Sequence, residues 1–102
     1  MPTTPGNIIR LTATPEGADK LASVLTRALE HAREETGTTT WFAARSESDP
    51  TSFFLVDLFT DEDSRNAHFA GAAAALILGE GGPLFAGPPE ISAIELLAGK
   101  NV

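Results

Sequence analysis

Acid–base chemistry has few places to reside in this chain. It contains two histidines, fourteen Asp and Glu, no cysteine and no tyrosine, so imidazole and carboxylate are the side chains available to move protons. His31 falls among Glu30, Arg33 and Glu34 on a helix flank and reads as solvated. His68 follows the apolar run Phe53 to Phe59 and is itself followed by Phe69. An imidazole that faces a sheet from a helix, with a carboxylate on the helix-facing side of a neighbouring strand, has the parts of an oriented general base. The acid fixes the tautomer and stabilises the imidazolium. His68 and Asp57 are the candidate catalytic residues on this ground. A packing role also fits, with His68 bonded to a backbone carbonyl and Asp57 a partly exposed strand acid, and spacing alone does not separate the two.

A ligand for such a base needs apolar walls. Phe53, Leu55 and Phe59 share one side of their strand, and Phe69, Leu76 and Phe85 can close from the other, an aromatic lining suited to a flat ring. Each of these residues serves equally as core. Arg10 is the further binding candidate. If Ile9 and Leu11 face a partner subunit, Arg10 and Thr12 point under the helices, where an arginine needs an anion such as Asp57 or a ligand phenolate or carboxylate; a surface arginine is the alternative. The chain has no Gly-x-Gly-x-x-Gly fingerprint, no Walker lysine and no thiolates, and two histidines are too few for a recognisable metal set. No cofactor and no metal are therefore expected.

The elements that must carry these residues follow from periodicity. Asn7 to Ala13 alternates as a strand, after an N-terminus, residues 1–6, that is disordered or extended. Thr14-Pro15-Glu16-Gly17 starts a helix in which Ala18, Leu21, Ala22, Leu25, Ala28, Leu29 and Ala32 recur at spacings of three and four, stopped near Gly37. Thr38 to Arg45 and Ser52 to Phe59 are strands joined by a polar turn with an Asp49-Pro50 step, hence antiparallel neighbours. In the first of these Trp41 and Phe42 must face opposite ways, and the sequence leaves open which of them meets the helices. Thr60 caps a second helix, which runs through the alanines to Leu78 with a kink at Gly71. Gly79-Glu80-Gly81-Gly82 reads as a mobile lid over a pocket mouth, Leu84-Phe85 as an anchor on the core, and Glu90 to Leu97 as the last strand.

The order β-α-β-β-α-β is the ferredoxin-like α+β arrangement, a four-stranded antiparallel sheet with both helices on one face. The strand Ser52–Phe59 carries large apolar groups on both sides, so its second face calls for a cover. The simplest cover is another copy of the chain related by a twofold axis.

At 102 residues the chain is one domain, 1–102, able to build a core without staples. The formal charge of −7 and the lack of any Lys/Arg cluster exclude a phosphate-backbone partner, so no nucleic acid is expected. No apolar run approaches the roughly 20 residues of a membrane span, and Met1 to Asn7 lacks the basic flank and apolar stretch of a signal peptide. No membrane association and a cytoplasmic location are the default expectations.

Several local patterns in their order and spacing resemble the antibiotic biosynthesis monooxygenases, small dimeric α+β barrel proteins related to quinol monooxygenases. They are Thr14-Pro15-Glu16-Gly17, Glu35-Thr36-Gly37, Asp49-Pro50, Asp57-Leu58-Phe59-Thr60-Asp61-Glu62, Ala67-His68-Phe69 and Pro88-Pro89-Glu90-Ile91. The resemblance covers nearly everything from Ile8 to Leu97. It implies a homodimer that acts on a small aromatic or quinol molecule without a bound cofactor, with a histidine at the position of His68. It also admits a haem-degrading relative, or a non-catalytic dimeric protein that binds a small ligand. The family pattern after strand 3 is an acid, one residue, then Trp. Here the acid is Asp57 where Glu is commoner, and Phe59 replaces the Trp, keeping an apolar wall but losing the indole N–H and its redox chemistry.

Overall fold

The structure, a computed structural model, describes residues 3–102. Strand β1 (Thr4–Thr12) leads through a short 3-10 turn at Pro15–Gly17 into α1 (Ala18–Arg33), followed by β2 (Thr38–Arg45) and β3 (Ser52–Phe59). Two short helices come next, α2 (Glu62–Phe69) and α3 (Ala72–Leu76), and then β4 (Glu90–Leu96). The sheet order is β2-β3-β1-β4 with every neighbour antiparallel, which is the ferredoxin-like topology expected from the element order. Thr4, Pro5 and Gly6 pair with Leu96, Glu95 and Ile94, so the first strand begins three residues before Asn7; Met1 and Pro2 lie outside the described residues.

Alternation along β1 and β3 sets the layers. Ile9 and Leu11 stand opposite Leu55 and Phe53, and all four pack under Leu21, Val24, Leu25 and Ala28 of α1. This reverses the conditional orientation that placed Arg10 beneath the helices. Arg10 is exposed on the other face, where its Nη2 donates to Ser52 Oγ at 3.3 Å. Its row includes Phe54 and Glu90, so the arginine meets solvent and a strand acid and needs no buried anion. Trp41 pairs with Asp57 on the helix side and packs against the core, whereas Phe42 lies in a row with Val56 and Ile8 on the open side.

Local chemistry explains the helix boundaries. Thr14 Oγ1 accepts from the Gly17 N–H at 3.2 Å, a cap for the turn before α1. At α2 the cap is Asp61 and not Thr60: Asp61 Oδ1 accepts from the Ser64 N–H at 2.8 Å, while Thr60 Oγ1 lies 2.9 Å from Ser64 Oγ. Gly71 breaks the second helix outright. With φ −90° and ψ 179° it is extended, and α3 restarts after it. The segment Ile77–Gly81 is a π-helical turn, held to α1 by the Arg27–Glu80 ion pair at 2.7 Å. The expected mobile lid is thus a turn continuous with α3, because Gly81 packs against Leu21 and Phe85.

No helix among the described residues is long and apolar enough to cross a membrane. One glycine governs how the chain after α1 meets α2. A Cβ on Gly37 would collide with Cβ and Oγ of Ser64, in the first turn of α2. Gly37→Ala should therefore lower stability by about 1–3 kcal/mol, the usual cost of overpacking a close contact. Chemical denaturation should show it, with Ser64→Gly in the same chain recovering part of the loss.

Candidate active site

The site is built where α2 crosses the sheet. Trp41, Asp57, Asn7 and Ala93 form one cross-strand row on the helix side of β2, β3, β1 and β4. Above it, α2 is oriented by Arg65, whose guanidinium donates to the Gly6 carbonyl at 3.0 Å and pairs with Glu62 at 2.5 Å. That anchor leaves His68, one turn on, facing inward and 6% exposed.

His68 is held between two carboxylates. Its Nδ1 lies 2.5 Å from Glu35 Oε1, which also accepts from Thr38 Oγ1 at 2.7 Å. Its Nε2 lies 3.2 Å from Asp57 Oδ2, close enough for a strong charge interaction but off the line of a well-formed hydrogen bond. Since a carboxylate offers only acceptors, the Nδ1 contact places the hydrogen on that nitrogen. Burial is the strongest single influence on the ring and pulls its pKa down. The close approach of the Asp57 and Glu35 carboxylates, with the charges of both, outweighs it and leaves His68 raised above its ordinary 6.5. The ring of Phe59 lies tilted 5.3 Å from the imidazole, and that of Phe69 lies 6.1 Å away.

His68 also forms part of the wall of a cavity of about 80 Å³ between sheet and helices. Ile9, Leu11 and Leu55 make its floor, with Phe69 and Phe85 among its walls. Leu78 and Ile91 sit at an outer rim, where Leu78, Ile91 and Phe69 are 60%, 54% and 44% exposed. Among the described residues His68 is the only ionisable side chain on this wall.

Of the residues expected to bind a ligand, Leu55, Phe69 and Phe85 reach this cavity together with His68. Phe53 does not: it packs in the core beside Arg45, whose guanidinium carbon is 5.0 Å from its ring centre. Leu76, the last residue of α3, packs against the core, Phe59 is fully buried against the imidazole, and Arg10 is on the opposite face of the sheet. Asp57 is 1% exposed and touches His68 from below without lining the cavity.

Glu35 went unnoticed in the sequence as a partner of His68. A signal existed, since Glu35 continues the inward spacing Ala28, Ala32 by three more residues, although the helix has by then ended. Asn7 and Trp41, the cross-strand neighbours of Asp57, were also missed; Asn7 Nδ2, Trp41 Nε1 and both Asp57 oxygens are buried without a hydrogen-bond partner. These are groups that an ordered water or a polar ligand atom satisfies.

The raised pKa has a stability consequence. Folded His68 holds its proton more tightly than the unfolded residue near 6.5, so this group favours folding fully below 6.5. The advantage is lost as pH climbs through the higher folded value. The wild-type chain should therefore lose stability relative to His68→Gln as pH rises above 6.5, as read by denaturant midpoints at each pH. A constant difference across that range would contradict the charged pairing.

This arrangement can be set beside known proteins. The family model for antibiotic biosynthesis monooxygenase matches residues 6–76. No curated protein matches significantly. Among solved structures, a protein of unknown function from Nitrosomonas europaea is 40% identical, with a TM-score of 0.88 over 96% of this chain and 93% of that one. A second protein from the same organism, provisionally named an antibiotic biosynthesis monooxygenase, is 17% identical with a TM-score of 0.86, covering 92% of this chain and 90% of that one. One from Caulobacter crescentus, provisionally named likewise, is 18% identical with a TM-score of 0.84, covering 94% and 92%. With most of its length matched by the family model and its architecture shared with these structures, the chain belongs to the antibiotic biosynthesis monooxygenase family.

Proposed function

We propose that this chain is a cofactor-independent monooxygenase that oxygenates a small electron-rich aromatic molecule, a quinol in the simplest case, with His68 as proton acceptor. The observation that carries this reading is an ionisable ring, alone on an apolar cavity wall, whose two nitrogens are matched by Glu35 and Asp57. Such a wall suits a reaction in which the ligand supplies the electrons. A hydroquinone and dioxygen become a hydroxyquinone and water: one oxygen atom enters the ring and the other leaves as water. Removing the phenolic proton makes the ring a better reductant, and the base must then stabilise the charge it acquires. Glu35 fixes the tautomer with Nε2 free to accept, and Asp57 lies beside Nε2 to receive the imidazolium.

The cavity of about 80 Å³ is far below the roughly 300 Å³ of a common ligand pocket. Entry of a ring therefore requires the exposed rim, Phe69, Leu78 and Ile91, to move apart. Leu78 lies on the π-helical turn, an irregular stretch of a kind found often at functional sites. The same volume disfavours a haem-sized ligand. It leaves one competing reading, a protein that holds a small molecule without turnover.

A homodimer belongs to the proposal. Ile8 and Phe42 are 42% and 49% exposed on the face without helices, in line with Val56, and Phe54 and Ile94 extend the patch. An apolar sheet face of this kind is shielded most simply by its own copy.

Oxygen uptake with a panel of naphthohydroquinones and anthrones tests the chemistry. Turnover should rise with pH on the alkaline side of 6.5, as the base form of His68 appears. His68→Gln should lower kcat by about 10²- to 10⁴-fold. If His68→Gln and Asp57→Asn both retain the wild-type rate, the site is elsewhere. A ligand that binds and is recovered unchanged would favour the non-catalytic reading. Sedimentation tests the assembly: the wild-type chain should run as a dimer and Ile8→Asp with Phe42→Asp as a monomer, and a monomeric wild type overturns that part of the proposal.

A further inference from the structure

His68 is shared by two hollows of different character. One is the apolar cavity; the other is a cleft of about 290 Å³ between the end of α1 and α2, where Glu35, Thr38, Ser64 and Ala67 join His68 on the wall. The two carboxylates on the ring differ in the same way. Asp57 is 1% exposed on the sheet floor, whereas the Glu35 side chain is 20% exposed and lines the cleft. Of the two, Glu35 is the one with a partly exposed side chain, although its Oε2 is itself buried without a hydrogen-bond partner.

We propose that Glu35 is the proton outlet of His68: a proton accepted by the ring on its inner side is matched by one passed from Nδ1 through the Glu35 carboxylate into the cleft. The buried histidine is thereby charged and discharged without admitting water to the apolar cavity. The outlet rests on the reading of His68 as the proton acceptor.

The steps balance. Nε2 takes the ligand proton, Nδ1 yields its own to Glu35 Oε1, and the resulting carboxylic acid releases it to water in the cleft. The reverse sequence returns a proton when the reduced oxygen atom leaves as water. No electron passes through the relay. Thr38 Oγ1 donates to the same Oε1 at 2.7 Å, and Oε2 lies against Gly71, so the carboxylate is held in line with Nδ1. The titratable groups facing the ring are Glu35, from the segment after α1, and Asp57, from β3; Phe59 and Phe69, which also pack on it, carry no charge. Glu34 shares the wall of the cleft. Asp57, with no route to the surface, stabilises the charged ring and does not conduct.

Glu35→Gln keeps an acceptor for Nδ1–H but cannot take up the proton, which makes it the discriminating variant. In nitrogen-15 NMR of the intact chain, His68 should titrate at lower pH in Glu35→Gln. Exchange of its ring proton with solvent should slow by about 10²-fold or more, the low side of what a positioned base contributes. Thr38→Val, which leaves the charge in place, should change both much less. A merely structural role for Glu35 would lower stability without slowing exchange in the folded protein. Unchanged exchange and titration in folded Glu35→Gln overturn the outlet, even if oxygen uptake with quinols is found. A slowed exchange with no uptake of oxygen for any quinol leaves the outlet standing and removes the oxygenase reading instead.

Discussion

The structure turns on a buried imidazole held at both ring nitrogens by carboxylates from different parts of the chain. A histidine in this position loses its hydration, which disfavours its charge, and the two acids more than restore it. Satisfying that geometry requires α1 to stop in time for Glu35 to turn inward, β3 to present Asp57 on the helix side, and α2 to be locked at its start. Asp61 caps α2, and Arg65 ties it to the Gly6 carbonyl of β1. Gly37 matters for the same reason, because its lack of a side chain lets the loop that carries Glu35 lie against Ser64. Each of these details is local, yet together they fix one proton-bearing ring to within hydrogen-bond distances.

The sheet divides the labour. On the helix side, the rows from Leu11 and Phe53 to Asn7 and Asp57 pass from wholly apolar to polar within about one strand's length. The apolar rows form core and cavity floor; the polar row supports His68. A slip of one residue in β3 would exchange Asp57 for Leu58 beneath the imidazole, and one in β1 would put Arg10 in the core. The burial of Ile9, Leu11, Phe53 and Leu55 under α1 therefore specifies the site as well as the fold.

The fold was legible because it is written in long, regular patterns: strand alternation in β1 and β3, the three-and-four spacing of α1, and the strand-turn-strand of β2 and β3. Facing was harder. Both sides of β3 are apolar, so alternation alone could not say which side met the helices; of the two orientations open for Arg10, the α1 core excludes the one beneath the helices and leaves the surface one. The pairing of His68 with Asp57 could be anticipated from a strand acid followed by a helix histidine. For Glu35 the signal was weaker, the Ala28, Ala32 spacing carried three residues further, because it lies beyond the last turn of α1 and its inward direction depends on the loop. The break at Gly71 and the π-helical turn after α3 were hidden by uniform helix-forming alanine and leucine, where propensity carries no information about where a helix ends.

The single tryptophan adds a further constraint on how such a site could recognise a ligand. The family resemblance places an indole two residues after the strand acid, and here that position is Phe59, buried against His68 with no hydrogen to donate. Trp41 stands instead beside the acid from β2, and Asn7 stands beside it from β1. Both residues thus share the cross-strand row of Asp57 on the sheet floor, and the cavity wall keeps His68 as its one ionisable group among the described residues. A ligand in the cavity would be oriented by a single hydrogen-bonding ring and by shape. Selectivity would then come from the apolar contour of Leu55, Phe69 and Phe85, and a rim able to part would admit several related rings in place of one.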